Sequence, residues 1–305
     1  MKHILIFGGT GFIGRHLFEN LKDNYHITIP SRNPQKYQHL NGERIRIVQM
    51  DQHKVDAFIK FFDEADAVIN LAGENVGSRW SVSKKQAIRS SRLDTDKFIV
   101  DAFNACKQKP TVVLQGSGMG VYGFEKSDDP YTEESPLGTK GFLTEVGISH
   151  EQMLKPLERK TRLIYLRTGL VLDGKEGALP PMAMPFKLYG GGPVGNGLQW
   201  NSWIHIKDEV MAIRYLLENK RCEGAYNLTA PHPVTNNEFA KTLGKVLQRP
   251  SFFRVPSLFL KLGMGEMADE LLLSGLKIIP KRLIDDGFKF KFEHIHNALG
   301  EIYNN

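Results

Sequence analysis

The sequence predicts an α/β protein: a Rossmann-type, doubly wound parallel sheet with a smaller, mostly helical C-terminal substrate-side domain. Three observations predict it. The opening stretch KHILIFGGTGFIGR runs from an apolar segment through glycines into a segment of helical spacing. Short apolar runs then alternate with helix-period stretches to about residue 230, the pattern of a parallel sheet with right-handed crossovers. Beyond that point the chain reads as mostly helical.

Residues 3–7 are apolar and stop at glycine, which reads as a buried strand entering a turn. Residues 14–21 put Leu17, Phe18 and Leu21 on one helical face. The glycines fit two spacings, Gly9-x-Gly11-x-x-Gly14 and Gly8-x-x-Gly11-x-x-Gly14. In a dinucleotide fingerprint the first glycine allows the turn, the second admits the pyrophosphate, and the third lets helix and strand pack closely. Gly8, Thr10, Gly11, Phe12, Ile13 and Gly14 are therefore candidate cofactor contacts. The phosphates would lie at the helix N-terminus, where free N–H groups and the dipole favour negative charge. The alternative is a glycine-rich turn in an unrelated α/β protein.

Residues 25–30 (YHITIP) form the second strand, which ends in Ser31-Arg32-Asn33 with no acid. An acid there would bind the 2′-hydroxyl of NAD, whereas Ser31 and Arg32 suit the 2′-phosphate of NADP. This favours NADP(H) over NAD(H), unless Arg32 is simply a solvated loop residue. Residues 44–49 form the third strand, closing at Asp51, which either contacts the adenine amino group or caps a helix over 55–62. Residues 67–71 are the fourth strand and lead into Ala72-Gly73-Glu74-Asn75, small enough to let a cofactor pass the backbone. A long polar helix over about 83–107 follows, with Ile88, Phe98, Ile99, Ala102 and Phe103 as its apolar positions. Residues 111–115, 162–167 and 224–229 are the fifth, sixth and seventh strands; the fifth ends in Gly116-Ser117-Gly118.

The pattern breaks over about 173–203, rich in Pro and Gly, which reads as a long loop or small excursion. It is either a binding loop or a surface insertion. Helices are expected at 236–247, 256–273 and 292–303. The implied division is 1–172 plus about 204–230 for a nucleotide-binding domain, and 173–203 plus 231–305 for the substrate-side domain. Among 305 residues, 41% are hydrophobic and 24% charged, ordinary for a soluble globular chain. No apolar run is long enough for a membrane span, and Met1-Lys2-His3 begins a strand rather than a signal peptide. Cys106 and Cys222 are far apart, without metal-ligand spacing, which points to a reduced, cytoplasmic compartment and no metal. The net charge of +6 is dispersed and forms no basic stripe, which argues against nucleic acid. An anionic cofactor and substrate account for it.

Together these motifs resemble the extended and atypical short-chain dehydrogenases/reductases, and most closely their sugar-nucleotide epimerase-like subgroup. The resemblance covers nearly the whole chain. Its carriers are GGTGFIG (8–14), SR (31–32), AVINLAGEN (67–75), RW (79–80), SRLDT (91–95) and Ser117 before VYG. They continue with LRTGLVL (166–172), PFKLYGGGPVGNG (185–197), SWIHIKD (202–208), NLTAPHPV (227–234) and IIPKRLIDDGFKF (278–290). The resemblance implies an NADP-binding Rossmann domain and a C-terminal substrate-side domain. It places Leu71, Ala72, Glu74 and Arg79 beside the cofactor, with Arg167 near its nicotinamide end. A homodimer is common for such folds.

Enzymes of this class move a hydride between nicotinamide and a carbinol carbon. A tyrosinate handles the hydroxyl proton, and a lysine four residues on lowers that tyrosine from its usual value near ~10. A hydroxyl residue at the end of the fifth strand holds the carbonyl oxygen, and Ser117 stands there; otherwise it is a turn serine. The Tyr-Lys pair is missing from 141–146, GFLTEV, as the resemblance to this subgroup implies. The one Tyr-x-x-x-Lys, Tyr122 to Lys126, reads as loop, so Tyr122 alone is the better candidate. His150, standing where relatives usually have tryptophan, is discounted as a general catalyst. Glu145 and Glu151 are not expected to share a face, and His150 and Glu151 point differently. Asp128, Asp129, Glu133 and Glu134 read as a solvated acidic loop. His205 and Asp208 either orient a substrate or serve a strand-to-helix turn. Gly190 to Gly192, Gly195 and Gly197 offer a backbone cradle for a substrate phosphate. The expected function is an NADP-dependent oxidoreductase or epimerase acting on a hydroxylated, nucleotide-linked small molecule, with Ser117 and Tyr122 polarising the reacting oxygen. The alternative is a non-catalytic NADP(H)-binding redox sensor or partner-binding protein.

Overall fold

The structure, a computed structural model, describes residues 2–124 and 129–304. Its first strand shows why the sheet forms. In β1 (His3–Phe7), Ile4 and Ile6 face one apolar core while Leu5 and Phe7 face the other. A strand covered on both faces needs a continuous apolar run, and a parallel sheet is covered on both faces. Helix α1 (Phe12–Leu21) leads to β2 (His26–Ser31), then β3 (Ile45–Gln49), α2 (Ile59–Glu64), β4 (Ala67–Asn70) and α3 (Val82–Ala105). Next come β5 (Val112–Gly118), α4 (Phe142–Leu154), β6 (Arg162–Thr168), β7 (Leu170–Leu172) and α5 (Leu179–Lys187). β8 (Trp200–Asn201), β9 (Trp203–His205), α6 (Ile206–Glu218), β10 (Gly224–Leu228) and β11 (Val234–Thr235) follow. The chain closes with α7 (Asn236–Leu247), α8 (Ser257–Met264), α9 (Glu266–Leu271), α10 (Lys281–Asp285) and α11 (Ile295–Asn304).

Seven strands form one parallel sheet in the order β3-β2-β1-β4-β5-β6-β10. Strand order reverses between β1 and β4, which opens a crevice at their C-terminal ends. Helices α1 and α6 cover one face through Leu17, Phe18, Ile213 and Leu216. Helices α2 and α3 cover the other through Phe62, Phe98 and Phe103. A third core joins α5, α7 and α11 around Trp203, Phe239 and Leu299.

Three expectations for elements need correction. The stretch 173–203 is not wholly irregular. It contains α5, whose Pro180 and Pro181 stand in the first turn, where the missing N–H costs nothing. The helix expected over 256–273 is two, because Gly265, at φ +62°, breaks it between α8 and α9. The helix expected over 55–62 starts as a 3-10 turn, Val55–Phe58, before α2. No helix among the described residues is long and apolar enough to cross a membrane.

Candidate nucleotide and active site

The glycine turn decides between the two spacings. Gly8 has φ +72°, and a Cβ there would stand 2.5 Å from the Leu71 carbonyl carbon and 2.6 Å from the Ala72 nitrogen. The loops after β1 and β4 therefore touch at the switch point, and only glycine fits between them. A Cβ on Gly14 would stand 2.3 Å from the Gly8 carbonyl oxygen. A Cβ on Gly9 would meet only the Ile29 side chain. Gly8, Gly11 and Gly14 are thus the structural set, and Gly11 N–H closes the turn on the Gly8 carbonyl at 2.9 Å. Gly11 is also the N-cap of α1. No side chain caps this helix and no acid stands in its first turn. Its N-terminal N–H groups and dipole remain available to an anion.

One side of the crevice is built at the ends of β2 and β3. Ser31 is buried and its Oγ accepts from Asn33 N at 3.2 Å, while the Arg32 side chain is exposed. Asp51 accepts from His53 N at 3.0 Å, and this bond and the nearby Lys54 hold its carboxyl below the usual carboxylate range. That turn falls short of α2, so Asp51 caps no helix, which removes one of its two sequence readings. On the opposite wall, Ala72 N donates to Asn70 Oδ1 at 3.1 Å and Glu74 N donates to Ser91 Oγ at 2.9 Å. The Glu74 carboxylate pairs with Lys84 at 2.6 Å, and Arg79 is exposed. The Arg92 guanidinium lies beneath Gly73 and donates to the carbonyls of Glu74 (3.3 Å) and Ile88 (3.0 Å).

At the end of β5 a second cluster forms, because register pairs Ser117 with Arg167 of β6. Ser117 Oγ donates to Glu151 Oε1 at 2.8 Å. Arg167 clamps the same carboxylate, Nε to Oε1 at 3.0 Å and Nη2 to Oε2 at 2.8 Å. Both members of this pair are buried. Burial alone would lower the Arg167 guanidinium, but Glu151 outweighs it and holds it above its ordinary value. Arg167 Nη1 donates to Tyr122 OH at 2.9 Å, and that hydroxyl donates to Asn227 Oδ1 at 2.7 Å. Burial, opposed by Arg167, pushes the Tyr122 phenol up. Its hydroxyl is already satisfied from both sides, which suits a positioning group better than a proton shuttle.

Helix α4 explains the missing pair. Leu143 packs against Gly120, and Gly147 packs so closely on Val121 that a Cβ would stand 2.8 Å from Cγ1. Positions 143, 147 and 151 are four apart and face the loop after β5, so a Tyr-x-x-x-Lys pair on this face would occupy 143 and 147. They hold leucine and glycine, and the next turn supplies Glu151. Sequence reasoning weighed Glu151 only against its neighbours on α4; its signal was this four-residue step.

His150 is buried with Asp96 and Gln115, and burial pushes the Asp96 carboxyl up. Glu145 pairs with Arg89 at the surface. Lys126 and Asp128 lie outside the described residues. Glu133 is not a solvated loop acid: it is partly buried and accepts from Asn227 N at 3.0 Å and from Arg282 N at 3.3 Å. His205 Nδ1 caps α6 by accepting from Lys207 N, and Asp208 accepts from the N–H groups of Lys291 and Phe292, so both serve structure. The glycines after α5 are explained by packing. Cβ atoms at Gly191, Gly192 and Gly197 would strike Phe186, Phe253 and Asn237, and the N–H groups of Gly190, Gly195 and Gly197 donate to the carbonyls of Pro185, Val255 and Val194, so packing and turn bonds account for these glycines without a phosphate. A cleft of about 1000 Å³ lies between α3 and α4, lined among others by Lys85, Arg89, Phe142 and Glu266. It includes neither the glycine turn nor the Ser117 cluster.

Residues 4–229 match the NAD dependent epimerase/dehydratase family, and residues 255–302 match a domain of unknown function, DUF1731. Epimerase family protein YfhF of Bacillus subtilis (strain 168) is 35% identical over 302 residues, covering 98% of this chain and 97% of that protein. The crystal structure of the human epimerase family protein SDR39U1 (isoform 2) with NADPH is 32% identical, with a TM-score of 0.88 over 99% of each chain. UDP-glucuronic acid 4-epimerase from Bacillus cereus, in complex with UDP-glucuronic acid and NAD, is 16% identical. Its TM-score of 0.79, over 99% of this chain and 98% of that one, reports the shared fold.

Proposed function

The chain belongs to the NAD dependent epimerase/dehydratase family, and from that premise we propose that it is an NADP-dependent oxidoreductase or epimerase for a hydroxylated, nucleotide-linked substrate. The observation that carries this reading is the contact of Gly8 with Leu71 and Ala72 in front of an uncapped α1, the cradle a dinucleotide requires. Gly8, Thr10, Gly11, Phe12, Ile13 and Gly14 would hold the pyrophosphate. Ser31 and Arg32 would take the 2′-phosphate, with Asp51 toward the adenine. Leu71, Ala72, Gly73, Glu74 and Arg79 would form the facing wall, and Arg167 would stand near the nicotinamide. The preference for NADPH is supported by Arg32 and by the human relative solved with NADPH.

When bound, the nicotinamide supplies or accepts a hydride at a carbinol carbon. The chain's own part falls to Ser117, whose hydroxyl would bridge Glu151 and the reacting oxygen. Glu151, held by Arg167, receives or returns the proton through that hydroxyl. Tyr122 acts through Arg167, fixing the guanidinium between itself and Glu151.

Leu143 and Gly147 support a second reading, an NADP(H)-binding protein without turnover. Calorimetry with NADPH, NADP, NADH and NAD on nucleotide-free protein, followed by UDP- and dTDP-sugar turnover, tests both. Tight NADPH binding with turnover that Ser117→Ala abolishes supports the enzyme. Tight binding without turnover supports the second reading, and no binding overturns both.

A further inference from the structure

We propose that His232, Glu293 and His294 form a binding site for a divalent transition-metal ion of the zinc class, tying the start of α11 to the turn after β10. One ligand atom from each residue lies within 4.8 Å of the other two. An ion at their centre would therefore be no more than about 2.8 Å from any of them, and side-chain shifts of ~0.7 Å reach the length of a zinc–imidazole bond. All three side chains are exposed, so an ion can enter and a water can complete the coordination.

Both supporting segments are held in place independently of any ion. The His232 carbonyl accepts from Trp203 Nε1 at 3.2 Å, and that indole belongs to a fully buried residue. Asp208 takes the N–H groups of Lys291 and Phe292, just before Glu293. The His294 carbonyl accepts from Asn297 N and Ala298 N, which begins the last helix. The site thus needs side-chain rotation, not backbone movement.

The two imidazoles stack with centroids 4.4 Å apart and planes within 3°. The stacking holds the two rings side by side at the surface. Parallel rings do not yet aim their lone pairs at one centre. Binding therefore requires one ring to turn about its Cβ–Cγ bond, and both rings are exposed. Two imidazoles and a carboxylate select a zinc-class ion, whereas magnesium and calcium prefer oxygen ligands throughout.

The test uses the whole chain, treated with chelator and then titrated with Zn²⁺ by calorimetry and with Co²⁺ by visible absorption. The expected result is one ion per chain, weakened about tenfold or more by His232→Ala and by His294→Ala. Zn²⁺ should also raise the melting temperature of the parent chain and leave that of His232→Ala unmoved, with Mg²⁺ inert on both. Zn²⁺ binding that survives both histidine substitutions, no saturable binding, or an equal response to Mg²⁺ would overturn the site.

Discussion

At the scale of single side chains, Arg32 bears on the proposed choice of cofactor and Glu209 on the response to pH. Arg32 is exposed at the end of β2, so removing it costs the fold little. Its guanidinium would bond a phosphate through charge-assisted hydrogen bonds, an interaction of about 1.5–3 kcal/mol, or roughly ten- to a hundredfold. Arg32→Ala should therefore weaken NADPH by that factor and leave NADH nearly unchanged, as read by calorimetry; equal losses would remove Arg32 from the phosphate site. Glu209 is wholly buried in the first turn of α6, where Thr168 Oγ1 donates to its Oε1 at 2.9 Å and Oε2 has no partner among the described residues. Burial pushes its carboxyl from 4.5 up to about 8. Between those values the folded chain keeps a proton that the unfolded chain has lost, so stability falls as pH rises through the window. The full effect is up to about 5 kcal/mol, present below the unfolded value and lost above the folded one. Glu209→Gln should flatten the urea midpoint against pH between about 5 and 9. An unchanged slope would show that this carboxyl is not its source. The positions of Arg32 and Ser117 were legible because strand ends follow from the alternation of apolar runs. Glu209 was not, because only packing shows that α6 buries it without a charge partner, and Glu151 offered only its four-residue step from positions 143 and 147.

The turn between β1 and α1 is the element on which the nucleotide reading stands. Its sequence fits two glycine spacings equally well, and periodicity cannot separate them. The contact with residues 71 and 72 separates them, because it is made by a strand sixty residues away. Gly8→Ala would force a side chain into a left-handed conformation and against backbone at 2.5 Å, and Gly14→Ala would meet the Gly8 carbonyl at 2.3 Å. Both should abolish NADPH binding and cost several kcal/mol of stability, on the scale of about 2–4 kcal/mol for strain with overpacking. Gly9→Ala presses on the buried Ile29 side chain at 2.9 Å rather than on backbone and keeps an ordinary φ, so it should cost less than either, about 1–3 kcal/mol. Urea unfolding of the three variants checks the order, and a Gly9 variant as damaged as the Gly8 one would overturn it. The same contrast between local and distant causes governs the helices. α1 and α3 announce themselves by spacing. α5 hides because Pro180, Pro181 and Pro185 all argue against a helix, yet the first two occupy the turn that tolerates them and the helix packs Leu179, Ala183 and Phe186 into a core it shares with α7.

The whole molecule is a sheet with a C-terminal segment laid along it. The alternation of apolar runs was enough to foresee seven parallel strands, since a strand buried on both faces has no other composition available. How residues 276–292 lie against them was not foreseeable, because the groups involved are isolated polar residues. Ser202 Oγ donates to the Leu276 carbonyl and accepts from Ile278 N, Glu133 accepts from Arg282 N, and Asp208 holds Lys291 and Phe292. Glu270, on α9, accepts from Phe142 N and Leu143 N at the start of α4, so the C-terminal helices also cap a helix beside the Ser117 cluster. These ties cross from the sheet to the C-terminal segment, and loosening one part exposes polar groups of the other. The chain should therefore unfold in one transition, with backbone and aromatic signals coincident. A cofactor bound at the switch point then stabilises all of it. At a free NADPH concentration one hundred times its dissociation constant, the gain is about 2.7 kcal/mol, a rise of roughly 5 °C in melting temperature for a chain of this size. Two separated transitions, with NADPH moving only the first, would show that the C-terminal segment folds apart from the sheet despite these bonds. A single transition that NADPH leaves unmoved would instead remove the dinucleotide from the crevice.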